Sequence, residues 1–145
     1  MAMKIGVTGT RNGLSKDQKE FANTALFNIP LGNPLEKYEF HHGNCIGVDV
    51  EVAAIARQYS YHIVCHPPMI KDLIGDFISD EYRPPLTYFQ RNRNIVNETE
   101  LLLAFPKEIE RQAKGGTWYT VDYANKRNKA VIIIFPDGST KGHNI

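Results

Sequence analysis

Three short segments combine small residues, hydroxyls and an arginine in a way that suits phosphate. They are Val7-Thr8-Gly9-Thr10-Arg11, His42-Gly43-Asn44-Cys45-Ile46-Gly47-Val48-Asp49 and Gly115-Gly116-Thr117-Trp118. Each follows a strand-like run and precedes a segment with helical periodicity. Small residues at such a junction let backbone N–H groups approach an anion. Together with the basic run Arg91-Asn92-Arg93-Asn94, they describe one phosphate-binding pocket built from several loops. The ligand expected there is a nucleotide or a nucleic-acid backbone.

In the first loop, Gly9 and Gly13 permit unusual backbone angles, Thr8 and Thr10 offer hydroxyls, and Arg11 offers a planar fork. The alternative is a tight turn with a surface arginine. The spacing is neither G-x-G-x-x-G nor a Walker A loop, so a dinucleotide site or nucleotide triphosphatase is not supported. In the second loop, Gly43 and Gly47 suit close backbone approach, with Asn44 between them. Asp49 reads equally as a helix-dipole acid or as a carboxylate facing a ribose or base. Arg91, with Asn92 beside it, opposes the dipole of its helix and so calls for an anion nearby. That anion is a ligand, or else a carboxylate such as Asp76, Asp80 or Glu81. In the last segment, the amides of Gly115 and Gly116 could hold phosphate, and Thr117 reads as an N-cap or a ligand contact. Trp118 packs in the core or stacks on a base. Asp122 is a second candidate acid on that helix.

His41, His42, Cys45, His62, Cys65 and His66 gather near two strand ends, but there is no C-x-x-C pair and no H-x-x-x-H helix. No metal site and no cofactor are therefore expected. A nucleophilic Cys45 activated by His42 ranks lower still.

These loops need elements to hold them. Lys4–Thr8, Tyr38–His42, Tyr61–His66, Leu101–Phe105 and Ala130–Phe135 read as strands. Helices are predicted from the capping box at Ser15-Lys16-Asp17-Gln18, over Val48–Tyr59, from the box at Thr87-Tyr88-Phe89-Gln90, and over Thr117–Lys126. In the third helix, Phe89, Ile95 and Val96 are expected inward. Met69–Leu86 is irregular, and a loop of that length is usually functional or mobile. Asp137-Gly138 signals a turn into a terminal hairpin arm. Alternating strands and helices imply an α/β, Rossmann-like three-layer domain, with a mostly parallel five-stranded sheet and helices on both faces. In such sheets ligands bind beyond the carboxyl ends of the strands.

The 145 residues fit one domain, spanning 1–145. Seventeen Lys and Arg stand against 16 Asp and Glu, for a net charge of +1, so any anion site is local rather than global. No membrane span or signal peptide is read, and two cysteines make no disulfide framework, which implies a cytoplasmic setting.

The motifs VTGTR, HHGNCIGVD, YFQRNRNIV, LLLAFP and GGTWYTVDYANKRNKAVIIIFP, in that order, resemble the Rossmann-like superfamily of the LOG phosphoribohydrolases and DNA-processing protein A. The likeness covers nearly the whole chain and points to small single-domain bacterial or phage members. It implies nucleotide or nucleic-acid phosphates at the strand ends, contacted by Thr8, Gly9, Arg11, Gly43, Asp49, Arg91, Asn92, Gly116 and Thr117, and a homodimer or higher homo-oligomer. The hydrolase members carry P-G-G-x-G-T-x-x-E. Here the segment Lys114–Asp122 keeps the glycines, lacks the proline and the second G-T pair, and ends in the shorter Asp122. Binding of a nucleotide-like small molecule, as sensor or sequestering module, therefore ranks first. Hydrolysis of a nucleoside 5′-monophosphate at its N-glycosidic bond by Asp49 or Asp122 ranks second. Single-stranded nucleic-acid binding ranks third, with Arg91, Arg93, Lys107, Arg111 and Lys114 as a basic rim and Tyr88, Trp118 and Tyr119 as stacking faces.

Overall fold

A computed structural model describes residues 2–145. The chain runs β1 (Ala2–Gly9), α1 (Lys16–Asn28), β2 (Lys37–His42), α2 (Val48–Gln58), β3 (His62–Cys65), β4 (Glu81–Tyr82), α3 (Tyr88–Glu98), β5 (Leu101–Phe105), α4 (Gly116–Lys126), β6 (Ala130–Ile134) and β7 (Thr140–His143). Both predicted capping boxes form. Ser15 and Thr87 each accept from the backbone N–H three residues on, and Gln18 and Gln90 reach back to the cap. These reciprocal bonds satisfy donors that a helix start would otherwise leave bare.

The strands form one sheet in the order β4-β3-β2-β1-β5-β6-β7. All pairs are parallel except β6 with β7. The sheet thus has seven strands rather than five. The two edge strands are short and polar, so neither carries the apolar run that marks a buried strand. β7 follows the predicted Asp137-Gly138 turn, where Gly138 sits at φ 86°. β4 lies inside the stretch expected to be irregular.

Apolar residues leave the sheet on both faces. On one, Ala22 and Leu26 of α1 and Val52, Ala53 and Ala56 of α2 cover Ile5, Val7, Phe40 and Leu103. On the other, Val96 of α3 and Trp118, Val121 and Ala124 of α4 cover Leu102, Ala104, Val131 and Ile133. This is the expected three-layer arrangement. Phe89 departs from expectation. It is 51% exposed and its ring lies 4.4 Å from that of Tyr119. The buried face of α3 is Arg91, Asn92, Ile95 and Val96, so the inward stripe runs through two polar residues that the apolar pattern passes over.

Two glycines weld the site loops together. A Cβ on Gly9 would lie 2.6 Å from the Cβ of Val48, so α2 can start directly over the end of β1. Gly47 has φ 91°, and a Cβ there would lie 2.6 Å from the Thr10 carbonyl oxygen. The strain of that φ and the backbone clash act together. Gly47→Ala should therefore lose about 3 kcal/mol of unfolding free energy in urea titration. Gly32→Ala, where a Cβ meets nothing within 4 Å, should stay within about 0.5 kcal/mol of the parent.

Candidate functional site

β1 is the point where strand order reverses. From it the chain steps outward to β2 and β3, then crosses back to β5. The loops leaving β1 and β5 consequently part to opposite faces and open a crevice between them. Thr10 N–H donates to the Phe105 carbonyl (3.1 Å), and Val48 N–H donates to the Thr10 carbonyl (3.1 Å). Three loop ends are pinned at this one residue.

The crevice has a volume of about 580 Å³. Gly9, Thr10, Arg11 and Asn12 form one wall, and Gly115, Gly116, Thr117 and Trp118 form the other. Lys107, Glu108 and Lys114 from the β5–α4 loop complete its rim, with Ile46, Leu73 and Tyr88 opposite. Three cations face one carboxylate. α4 begins here with Gly115 as its N-cap at φ 113° and no side-chain cap. Its first-turn N–H groups are thus free of side-chain partners and carry the positive end of the helix dipole. Thr117 is inside the helix rather than capping it.

Behind this crevice lies a buried polar layer. Asp49 is 7% exposed and accepts from the N–H of Gly43 (2.9 Å) and of Cys45 (3.4 Å). Burial raises its pKa, partly opposed by the nearby Arg91 and these two amides. Arg91 is 2% exposed. It donates to the Gly43 carbonyl (2.5 Å), the His66 carbonyl (3.1 Å), Asn92 Oδ1 (2.7 Å) and Cys45 Sγ (2.9 Å). Its guanidinium carbon lies 4.7 Å from the centre of the Tyr88 ring. A Cβ on Gly43 would sit 2.6 Å from that carbon, so glycine is needed there to admit the arginine.

The expected site residues therefore fall into three groups. Gly9, Thr10, Arg11, Gly115, Gly116, Thr117 and Trp118 line the crevice. Trp118 does so from the core, 2% exposed, with its Nε1 donating to Glu108 Oε1 (3.1 Å). Thr8, Gly43, Asn44, Asp49, Arg91 and Asn92 lie behind it. Arg91, expected at a ligand or an acidic partner, is a cross-link to backbone carbonyls, because no carboxylate comes within ion-pairing distance. Asp122, expected beside a sugar, instead pairs with Arg111 on the outside of α4. Glu108, Asn12, Ile46 and Leu73 carried no sequence motif. Leu73 alone had a signal, the length of the 69–86 loop.

The histidines are structural partners rather than activators of Cys45. Asn44 N–H donates to His42 Nδ1 (3.0 Å), so His42 Nε2–H is left for Ser79 Oγ (2.8 Å). Burial raises the Cys45 pKa, which keeps it a thiol. His41 Nε2 lies 2.9 Å from a Glu39 carboxylate oxygen, and its Nδ1 lies 2.8 Å from His66 Nε2. Since a carboxylate only accepts, His41 donates to Glu39 and receives from His66. His66 Nδ1 is then a buried lone pair without a partner, 3.8 Å from Glu98.

No family model matches this sequence, and no curated protein matches it. Solved structures do. The molybdenum cofactor binding protein of the phototrophic bacterium Rippkaea orientalis superposes with a TM-score of 0.68 at 19% identity, over 93% of this chain and 77% of that one. The Moco carrier protein of Chlamydomonas reinhardtii gives 0.66 at 22% identity, over 92% and 76%. The structural-genomics protein TM1055 gives 0.64 at 16% identity, over 89% and 72%. These are Rossmann-like folds, and what this chain shares with them is the fold.

The buried histidines make stability depend on pH. Burial lowers the pKa of His41, and lowers those of His42 and His66 to about 3, from an ordinary value of 6.5. A depressed histidine contributes stability that is fully present above its unfolded value and lost as pH falls toward its folded value. The acids with lowered pKa, Glu81 among them, begin to cost stability only below the usual carboxylate range. Asp49, with its raised pKa, works in the opposite direction. The melting temperature should hold between pH 7 and 8, as measured by circular dichroism, and start falling near pH 6.5. A plateau reaching down to pH 4.5 would contradict this account.

Proposed function

We propose that this protein binds a phosphate-bearing, nucleotide-like small molecule in the crevice between the β1 and β5 loops, and holds it without cleaving it. The observation carrying this reading is the convergence of Arg11, Lys107 and Lys114 on the uncapped start of α4. Backbone N–H groups, a helix dipole and mobile cations at one point are the ingredients of a phosphate site. The concave site favours a small anion over a long strand, whose binding would call for a basic stripe.

Holding rather than cutting fits the placement of the acids. N-glycosidic cleavage passes through an oxocarbenium-like state that needs a carboxylate beside the sugar. Asp49 is committed to two amides of its own loop, and Asp122 to Arg111. Glu108, the one acid on the crevice wall, accepts from Trp118. Two fold relatives, described as binding or carrying the molybdenum cofactor, support a role in holding a small ligand.

Incubation with nucleoside 5′-monophosphates, followed by mass spectrometry, should return intact nucleotide and no free base. Lys114→Ala should weaken nucleotide binding about tenfold, the loss of one charge-assisted contact. Release of free base would overturn the holding role. The absence of any melting-temperature shift with phosphate-bearing ligands would overturn the site.

A further inference from the structure

The crevice does not end at Arg11. A second cavity of about 380 Å³ shares Arg11, Leu73 and Tyr88 with the first. Its remaining wall is largely Pro68, Met69 and Ile70, with the Cys45 thiol and Asp72 among its few polar groups. The two chambers thus differ in chemistry. One gathers cations and backbone N–H groups, and the other presents carbon.

The apolar wall is held in place. Met69 N–H donates to the Leu86 carbonyl (2.9 Å), which ties the two ends of the strap together. Ile46 N–H donates to the Leu73 carbonyl (3.0 Å), and Gly75 N–H donates to the Asn44 carbonyl (2.6 Å), which zips the strap to the β2–α2 loop. Met69 is 60% and Ile70 is 74% exposed. Covering such side chains with a flat apolar body removes carbon surface from water, which is favourable at roughly 25 cal/mol per Å². Tyr88 supplies an aromatic surface to the same chamber, steadied by the Arg91 guanidinium against its ring. Small-molecule sites combine these features, a mostly apolar lining with a few polar groups that fix orientation.

Resting on the reading of the first chamber as a phosphate site, we infer that the second chamber receives the ring system of the same ligand. The ligand class is a monophosphate of a flat heteroaromatic compound, its phosphate at the start of α4 and its ring against Tyr88, Met69 and Ile70. Arg11, common to both chambers, lies where ring and phosphate are joined.

Calorimetric titration of the full chain with inorganic pyrophosphate, ribose 5-phosphate, AMP and flavin mononucleotide tests this. At least one of the two ring-bearing probes should bind tenfold or more tightly than ribose 5-phosphate. The double variant Met69→Gln/Ile70→Asn, at exposed and uncharged positions, should reduce that advantage at least fivefold and leave pyrophosphate affinity as it was. If ribose 5-phosphate binds as tightly as both ring-bearing probes, the ring chamber is overturned while the phosphate site stands. If the variant weakens pyrophosphate and the ring-bearing probes equally, the ring assignment falls as well. If none of the four binds, the phosphate site falls and the ring chamber with it.

Discussion

The site depends on an arginine that stays behind it. Arg91 brings a permanent charge into the interior and spends its donors on the Gly43 and His66 carbonyls, Asn92 and Cys45. These groups come from the ends of β2 and β3 and from α3, so one side chain fixes three elements against each other. A guanidinium suits this task because its planar fork serves several acceptors at once, which a lysine ammonium cannot do in the same geometry. The charge is compensated at a distance by Asp49, whose carboxylate in turn holds two amides of the same loop. Removing either would leave a buried charge with poorer compensation, a costly state.

With that layer fixed, the front of the site can be built from backbone. Gly9 and Gly47 bring α2 onto the end of β1, and Thr10 bonds to both the β5 end and the α2 start. The β1 and β5 loops then face each other across the reversal in strand order, and α4 opens into the space between. Rigid backbone donors on one side and the flexible side chains of Lys107 and Lys114 on the other give a phosphate both preorganised and adaptable partners.

Much of this was legible in the sequence. Both capping boxes, the alternation of strand and helix, and the glycine loops at strand ends depend on neighbours within a few residues, and local patterns report such contacts well. The position of Arg91 was legible as a broken local rule, but its partner was not. The dipole argument asks for an anion, whereas the structure supplies carbonyls from Gly43, 48 residues away, and His66. Trp118 was ambiguous because one side chain both fills the core and touches the crevice. Phe89 was misplaced because the inward stripe of α3 is half polar, so the apolar residues alone indicate the wrong face. β4 and the Met69–Leu73 wall were out of reach for a similar reason. Their positions are set by pairing with β3 and with the β2–α2 loop, not by periodicity of their own.

The most direct test of where the ligand sits is a titration of ¹⁵N-labelled protein with AMP, followed by amide chemical shifts. The account predicts that the largest changes fall on Gly115, Gly116 and Thr117 and on Thr10 to Asn12, on facing walls of the crevice. Changes centred instead on Lys37, Tyr38 and Ser60, around the cavity at the opposite end of the sheet, would contradict it.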